Sequence, residues 1–419
     1  MTIQSAKGGR RGRKELAMGL LCLTLAALIV LALRPGTDGQ LSTFSLTSYR
    51  GGMTIKAPDM VMQTSSALLL LAALAALIGT WQLLRGTARI ATLLAAVSAI
   101  GISAFLIWAT RGKSLNLTGM LVSSIVRATP IALAALSGIY SERSGVVNIG
   151  IEGMMLTGAF LAAVVASITR NMLAGVLGGI AGGLALAVLH GILSIRFKVE
   201  QVISGTGIII LALGLTSYLQ RAVLNLRPEL NQPGPAMPAV AIPFLGKIPV
   251  LGPIVFNQSP IVYALIGLIF VTHIVLYQTR WGLRLRAVGE HPRAADTLGI
   301  DVFRTRYACV LISGAIAGLA GAYMSIGSAG RFNEGMTAGK GFLGLAAMIF
   351  GNWNPAGSFL GALIFGFFDS WQEKLAILQV GIPSDLLGMT PYIATMLVLA
   401  GVVGRARGPA ASGQPYDKL

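Results

Sequence analysis

The stretch SERSGVVNIGIEGMMLTGAF, residues 141–160, places charged and amide side chains inside a glycine-rich and otherwise apolar segment. Glu142, Arg143, Asn148 and Glu152 all lie within it, and long apolar runs flank it on both sides. If those runs cross a membrane, each of these side chains lies in or near lipid, where a charge at the bilayer centre costs about 3 kcal/mol or more. The stretch therefore predicts either a polar cavity or a set of buried polar pairs.

Composition identifies the class of protein. Apolar residues make up 54% of the 419 positions and charged residues only 11%, whereas ordinary globular chains carry about a quarter charged residues. The apolar runs are continuous, so they suit membrane-spanning helices and not the alternating strands of a barrel. We predict an all-α, polytopic integral membrane protein with about 10–12 transmembrane or half-membrane helices. Cys22 and Cys309 lie in apolar runs and indicate packing residues, because two isolated cysteines support neither a metal site nor a disulfide framework.

Twelve apolar segments account for the predicted crossings. They lie near 16–33, 66–84, 89–109, 118–139, 147–168, 172–195, 201–224, 260–279, 307–328, 340–351, 356–373 and 389–404. Two of them do not have the character of full crossings, because 147–168 is Gly-rich and polar and 340–351 is short. Both are therefore predicted to be parts of broken helices.

Basic residues mark one side of the predicted membrane. If the twelve segments alternate, that side carries the N-terminal tail, Arg85, Arg89, Arg196, Lys198, the segment 280–306, Arg405 and Arg407. Lysine and arginine favour cytoplasmic loops, so both termini are predicted to be cytoplasmic. The net charge of +17 thus indicates orientation in the lipid bilayer and not binding of nucleic acid. The apolar run 16–33 is long enough to span, so we interpret it as retained and not as a signal peptide.

Two loops differ from simple connections. Residues 225–258 hold seven of the seventeen prolines, and the alternation places them outside as an extended external loop. The loop WGLRLRAVGEHPRAADTLGIDVFRTR, residues 281–306, is internal and basic. Pro292 suits the first turn of a short helix within it, and Gly299 suits the end of that helix.

An internal echo suggests two related halves. The segments 153–179 and 339–362 share a Gly-led apolar run, a polar break with Asn and a Gly-spaced helix. Broken helices at matching positions in two pseudo-repeated halves are typical of transporters, and the breaks indicate the binding site. The echo therefore predicts substrate contacts at the two breaks.

Glu152 is the main candidate for such a contact. Asn148 and Glu152 are four residues apart and share one helix face, and the glycines between 145 and 158 leave room for a ligand or a neighbouring backbone. The alternative is structural: Glu152 pairs with a partner such as Arg127, and the glycines only pack helices. Glu142 and Arg143 are interpreted as a helix-end pair that fixes the break.

Common catalytic motifs do not fit this chain. GKGFLG, residues 339–344, has the spacing GxGxxG but follows no strand, and GMTAGK, residues 335–340, is one residue too short for a phosphate-binding loop. HExxH, GxSxG and paired cysteine motifs do not occur. We therefore predict no catalytic residue, no metal site and no nucleotide hydrolysis in this chain. We predict that it is not an enzyme.

Several motifs in the same order resemble one transporter family. SERSGVVNIGIEGMMLTGAF resembles the signature of permease subunits of nucleoside-type ABC importers, within the wider group that also serves simple sugars and branched-chain amino acids. QVISGTGIIILALGLTSYL (201–219), GLRLRAVGEHPRAADTLGI (282–300) and GKGFLGLAAMIFGNWNPAGSFLGALIFGF (339–367) are similar to that family. The resemblance covers about residues 118–405.

The resemblance implies a transport subunit that needs partners. Two permease subunits, identical or different, enclose the pathway in such importers. Two ABC ATPase subunits dock from the cytoplasm and use ATP and Mg, and an extracytoplasmic substrate-binding protein delivers the solute. No cofactor is implied in this chain, and its location is the cytoplasmic membrane. It divides into an N-terminal extension with about three transmembrane helices (1–117), a permease domain (118–405) and a short cytoplasmic tail (406–419).

The resemblance also implies two sets of site residues. The 145–158 run resembles the family's broken helix beside the translocation path, where glycine permits approach to the partner permease. The expected substrate-pathway residues are Asn148, Gly150, Glu152, Gly153 and Asn354. The loop 281–306 matches the coupling segment that seats in the ATPase. The residues expected to act there are Gly282, Arg286, Gly289, Glu290, Pro292, Ala294, Ala295 and Gly299, with Arg286 and Glu290 able to pair across the interface.

Other functions remain open at this stage. Nucleosides are the preferred solutes of the resemblance, with simple sugars next and branched-chain amino acids third. An ion-coupled secondary transporter, with Glu152 and Asp369 binding protons or cations, also fits broken polar helices. It would not need an ATPase dock, so transport should then survive disruption of the loop 281–306. A membrane-embedded enzyme would need a nucleophile–base or metal constellation, which the sequence lacks.

Overall fold

A computed structural model describes residues 13–86, 90–380, 383, 386, 388–389 and 407–418. Arg89, Arg405, the basic residues before position 13 and nearly all of the predicted span 389–404 lie outside the described residues. Thirteen helices occur in the described part of the chain. They are α1 Arg13–Leu28, α2 Thr64–Arg85, α3 Ile90–Ala109, α4 Leu117–Arg143, α5 Ile151–Thr169, α6 Met172–Gly191, α7 Gln201–Leu219, α8 Pro260–Gln278, α9 Arg280–Glu290, α10 Pro292–Thr297, α11 Val302–Ala322, α12 Lys340–Phe350 and α13 Pro355–Leu378.

Most helices agree with the predicted crossings, but α5 differs, because it is long and apolar enough to cross in full, whereas the sequence predicts part of a broken helix at 147–168. Within the described residues, nine helices are long and apolar enough to cross a membrane. Four of these crossings continue past the α-helix in a π-helical turn, to Leu33 after α1, to Arg196 after α6, to Leu224 after α7 and to Ala329 after α11. α12 is shorter, as its sequence predicts. The all-α, multi-pass class is therefore confirmed.

The chain divides into two compact units, and the first holds the three N-terminal helices. This unit comprises residues 1–48, 56–118 and 373–387. α1 and α2 approach closely, because a Cβ added at Gly79 would lie 3.0 Å from the Gly19 carbonyl oxygen. Three short strands, β1 Leu41–Ser45, β4 Met60–Gln63 and β5 Ser114–Asn116, form a sheet with β1 in the centre. β1 is antiparallel to β4 and parallel to β5. The functional division of the chain at residues 117 and 118 stays a prediction.

The second unit is built around three glycine-rich helices. It comprises residues 49–55, 119–372 and 388–419, and its core includes α5, α6 and α11. A Cβ at Gly183 of α6 would collide with the Gly314 carbonyl oxygen of α11, and one at Gly158 of α5 would lie 2.7 Å from Gly318 Cα. Small residues permit this close backbone approach between membrane helices. These glycines therefore lie where α6 and α5 each pack against α11.

The loop 225–258 is more folded than predicted. It contains two short 3₁₀ turns, a π-helical turn at Gly252–Phe256 and the paired strands β6 Val240–Ala241 and β7 Asn257–Gln258. Tyr263 closes it, because its hydroxyl donates to the Val240 carbonyl oxygen over 2.8 Å. Arg50, the last residue of β2 Ser48–Arg50, which is followed by β3 Met53–Ile55, reaches this loop and donates to Gln258 Oε1 over 2.9 Å. The prediction of an extended loop is corrected, because prolines here begin turns as well as interrupt helices.

Candidate functional site

The first helix break lies between α4 and α5. α4 ends at Arg143, and α5 begins only at Ile151, so the segment between them leaves the helical path. Both backbone polar groups of Val147, in this segment, have partners. Its N–H donates to Gln201 Oε1 over 2.6 Å, and its carbonyl oxygen lies 3.0 Å from His190 Nε2. The break is thus a fixed structure fastened to α6 and α7.

Asn148 lies inside the break and is fully buried. Its Nδ2 donates to Ser313 Oγ of α11 over 2.9 Å, and Ser313 Oγ in turn lies 2.8 Å from Ser137 Oγ of α4. Its Oδ1 is buried and accepts no hydrogen bond from the described part of the chain. Asn148 therefore has unused capacity to accept a hydrogen bond at the point where three helices meet.

Glu152, in the first turn of α5, contacts the start of α12. Its Oε1 accepts from Gly339 N over 2.8 Å, and its Oε2 accepts from Gly341 N over 2.6 Å. These amides lie at the start of α12, where unpaired N–H groups and the helix dipole favour a negative charge. This carboxylate therefore ties the start of α5 to the start of α12, and its structural partners are backbone amides and not the Arg127 of the alternative prediction.

Three charged side chains meet beside the start of α12. Arg127 Nη1 of α4 lies 3.0 Å from Asp369 Oδ2 of α13, and Lys340 Nζ lies 3.9 Å from the same oxygen. The three side chains are between 23% and 30% exposed, so they are neither sealed in the core nor free on the surface. We call Arg127, Lys340 and Asp369 the charge cluster. The sequence marked Arg127 and Asp369 as intramembrane charges, but it gave no sign of Lys340, which reads as the end of a loop.

The space beside two glycines of the predicted substrate pathway, Gly150 and Gly153, is filled by α7 of the same chain. A Cβ at Gly150 would lie 3.3 Å from Ile208 Cγ2, and one at Gly153 would lie 2.9 Å from the Ile208 carbonyl oxygen of α7. The expectation that these glycines face a solute or a partner permease is therefore corrected. They are small because α7 packs directly against them, which is the structural alternative.

Glu142 and Arg143 hold the second break and do not pair with each other. Glu142 Oε2 accepts from Trp353 Nε1 over 2.7 Å, and Arg143 Nη2 donates to the carbonyl oxygens of Asn352 and Trp353 over 3.3 Å each. The prediction of a helix-end pair is corrected, since adjacent residues on a helix do not face each other. Asn354 ends this break, where its Oδ1 accepts from Ala356 N over 3.0 Å and caps α13.

The predicted coupling segment 281–306 contains α10, the short helix that its sequence predicts, and also most of α9, which the sequence did not predict. α10 begins at Pro292, and the chain leaves it through Gly299, whose φ of +79° favours glycine. Most of the surface of α10 is exposed, and Ala295 is its one buried residue. Ala294 lies on the exposed face. α10 thus exposes most of its surface and buries one side chain, Ala295, against the rest of the chain.

The other coupling candidates serve to attach α9. A Cβ at Gly282 would collide with the Val275 carbonyl oxygen of α8, and one at Gly289 would collide with the Arg143 carbonyl oxygen. Arg286 stacks over the Tyr277 ring, with its Cζ 5.2 Å from the ring centroid. Glu290 is exposed and accepts from Ala410 N over 3.3 Å. Arg286 and Glu290 therefore have partners within this chain, which the local sequence does not predict.

Comparison with known proteins identifies the same part of the chain. Residues 120–410 match the family described as the permease component of the branched-chain amino acid transport system. No solved structure matches the chain.

Three curated relatives carry transport functions in their names. The guanosine ABC transporter permease protein NupQ of Bacillus subtilis (strain 168) is 40% identical over 305 residues, covering 71% of this chain and 95% of the relative. The nucleoside ABC transporter permease protein NupC of Lactococcus lactis subsp. cremoris is 37% identical over 317 residues, covering 71% and 96%. The glucose ABC transporter permease protein TsgB13 of Haloferax volcanii is 26% identical over 288 residues, covering 67% and 76%.

Proposed function

The chain belongs to the permease component family of branched-chain amino acid transport systems, and from this premise we propose that it is the membrane-spanning subunit of an ATP-driven importer of nucleosides. Two of the relatives, at 40% and 37% identity, are named for guanosine and for nucleosides. The observation that carries the proposal is the meeting of the two helix breaks, where Glu142 and Arg143 at the end of α4 contact residues 352–353, in a unit that also carries intramembrane polar groups and a folded coupling segment.

The polar groups at the breaks suit a neutral solute with several hydroxyl and amide groups. Asn148 Oδ1 offers an acceptor, and the charge cluster offers a carboxylate and two cationic donors. A ribosyl diol can donate to Asp369 and accept from Lys340, while a base edge can donate to Asn148. Glu152 acts here by holding the start of α12, because both of its oxygens already accept backbone hydrogen bonds.

The partners follow from the ABC transporter systems to which the relatives belong. A separate ATPase subunit docks on the exposed face of α10 from the cytoplasm and uses ATP and Mg. A second permease subunit completes the pathway, and an extracytoplasmic binding protein delivers the solute. Arg143, Arg196 and the basic residues of α9 lie at the helix ends that the positive-inside rule assigns to the cytoplasm. Both termini are therefore cytoplasmic in this proposal.

The test is uptake of labelled guanosine into cells with and without this gene. We expect uptake to fall on deletion, to be competed by adenosine but not by excess ribose, glucose or leucine, and to stop when cellular ATP is depleted. Loss of labelled glucose or ribose uptake with normal guanosine uptake would replace the nucleoside assignment by the sugar one. Uptake that persists without ATP would contradict the ABC mechanism and favour ion coupling.

A variant of α10 tests the docking surface. Ala294→Trp adds bulk to the exposed face and leaves the buried Ala295 in place. We expect the subunit to accumulate in the membrane normally but to retain little ATPase subunit on co-purification. Ala356→Trp, at an exposed alanine in the first turn of α13, is the matched control. An equal loss of ATPase in both variants would remove the special role of α10.

A further inference from the structure

The described end of the chain, residues 407–418, lies across the coupling segment and the first helix break. Its chain has no helix or strand, yet three of its side chains are buried while the residues between them are mostly exposed. The buried residues are Pro409, Ala411 and Tyr416. A segment that is anchored at alternating points behaves as a strap and not as a free tail, and we call residues 407–418 the C-terminal strap.

Tyr416 fastens the strap to the coupling helices. It is buried in a cluster with Val288 of α9, Ala295 of α10 and Val302 of α11, and its ring lies 5.4 Å from the Phe303 ring. Ala295 is the one buried residue of α10. The apolar attachment of α10 to the rest of the unit therefore includes a side chain from the strap.

The middle of the strap is fastened to the first break. Gly413 N donates to the Gly145 carbonyl oxygen over 3.2 Å, and Ala411 N donates to the Gly289 carbonyl oxygen over 2.9 Å. Gly145 and Gly289 lie on the two elements that meet here, since Gly289 packs directly on the Arg143 carbonyl oxygen. The strap thus makes backbone hydrogen bonds to the broken helix and to α9 within three residues.

A buried cation depends on the same segment. Arg306, near the start of α11, is 2% exposed, and its Nη1 donates to the Gln414 carbonyl oxygen over 3.0 Å. The guanidinium also lies against Gly145, because a Cβ there would be 2.9 Å from Nη2. Displacement of the strap would break this hydrogen bond and uncover the buried guanidinium of Arg306. The strap therefore stabilises the start of α11.

We propose that the C-terminal strap is a positioning element that links movement of α10 to the first helix break. A displacement of α10 by the ATPase would reach Tyr416 through Ala295, and would pass along the strap to Gly145, which begins the segment that carries Asn148. A second, direct path runs from Gly289 to Arg143, and the strap binds the two paths together. The inference rests on the proposed function, because it assumes that the ATPase docks on α10.

The experiment measures solute uptake and ATP hydrolysis by the complete transporter in proteoliposomes. In Tyr416→Ala, we expect assembly and ATP hydrolysis to continue while the number of solute molecules taken up per ATP falls by at least about fivefold, in the range of ordinary coupling free energies. Tyr416→Phe keeps the ring and should keep the ratio. Lys418→Ala, at an exposed residue of the same strap, is the matched control and should also behave as the wild type.

Each result decides between the alternatives. An unchanged ratio in Tyr416→Ala would overturn the proposal, and so would loss of the ATPase subunit from the complex, because the strap would then serve assembly only. Should the wild-type transporter take up a sugar instead of guanosine, the nucleoside assignment fails, but the ratio measured with that sugar still tests the strap.

Discussion

Glu152 shows how a single intramembrane carboxylate can be stabilised by backbone donors, with no basic partner among the described residues. Each of its oxygens accepts one short hydrogen bond from a backbone amide at the start of α12. Charge-assisted hydrogen bonds of this kind are roughly twice as strong as neutral ones. The charge is therefore compensated by the helix end and not by a cation.

We predict that Glu152→Gln destabilises the subunit by about 1–3 kcal/mol, because a glutamine presents one acceptor and one donor to two amide donors. The measurement is the thermal unfolding of the detergent-purified subunit. Glu334→Gln is the control, since Glu334 forms an exposed ion pair with Arg221. Loss of uptake at an unchanged unfolding temperature would contradict the structural role and assign Glu152 to the solute.

Variants of the charge cluster can distinguish a structural role from a role in solute binding. Asp369→Asn leaves two cations beside each other, so we expect lower stability and no uptake. In the double variant Arg127→Gln/Asp369→Asn the repulsion is removed, and we expect most of the lost stability to return. Uptake should remain absent if the cluster contacts the solute. Recovery of uptake together with stability would show that the pair is only structural.

The partners of these residues could not be predicted from the sequence. Asn148 meets Ser313, 165 positions away, and Glu152 meets Gly339 and Gly341, 187 and 189 positions away. Local pattern identifies a polar residue in an apolar run, but its partner depends on how the helices pack. The same limit applies to Gly150 and Gly153, whose neighbour α7 no local spacing specifies.

At the scale of helices, glycine position decides which contacts are possible. Gly183 of α6 and Gly207 of α7 are both helical glycines, but a Cβ at Gly183 would collide with α11, whereas nothing lies within 4 Å of one at Gly207. Two glycines that look alike in sequence therefore have opposite tolerance for a side chain.

We expect Gly183→Ala to destabilise the subunit by about 1–3 kcal/mol through overpacking, while Gly207→Ala leaves it unchanged or more stable, since alanine is the better helix former. Thermal unfolding of both variants in the same detergent gives the comparison. Similar unfolding temperatures for the two variants would mean that α6 and α11 do not cross at Gly183.

The helices themselves were largely predictable. The predicted span 201–224 corresponds to the crossing Gln201–Leu224, and 172–195 to Met172–Arg196, because length and apolarity alone define a crossing. The end of a helix at Gly299 was predictable too, since it depends on local backbone preference. The C-terminal strap was not, because its chain has no periodic pattern and its position depends on contacts with distant segments.

At the scale of the whole molecule, the two ends of the helices differ in chemistry. One end carries the breaks near Arg143, the basic coupling segment and the C-terminal strap, while the other carries the proline-rich loop 225–258. An importer that receives solute on one side and is driven from the other needs such an asymmetry. The orientation of the chain is therefore part of the proposed mechanism.

We predict that Glu229→Cys, in the external loop, reacts with a membrane-impermeant maleimide in intact cells. Arg293→Cys, on α10, should react only after the membrane is opened, because α10 must face the cytoplasmic ATPase. Both positions are exposed, whereas the native Cys22 and Cys309 are buried and unpaired, which keeps the background low. Labelling of Arg293→Cys from outside would reverse the orientation. It would separate α10 from any cytoplasmic ATPase and remove the mechanism that the coupling segment and the strap serve.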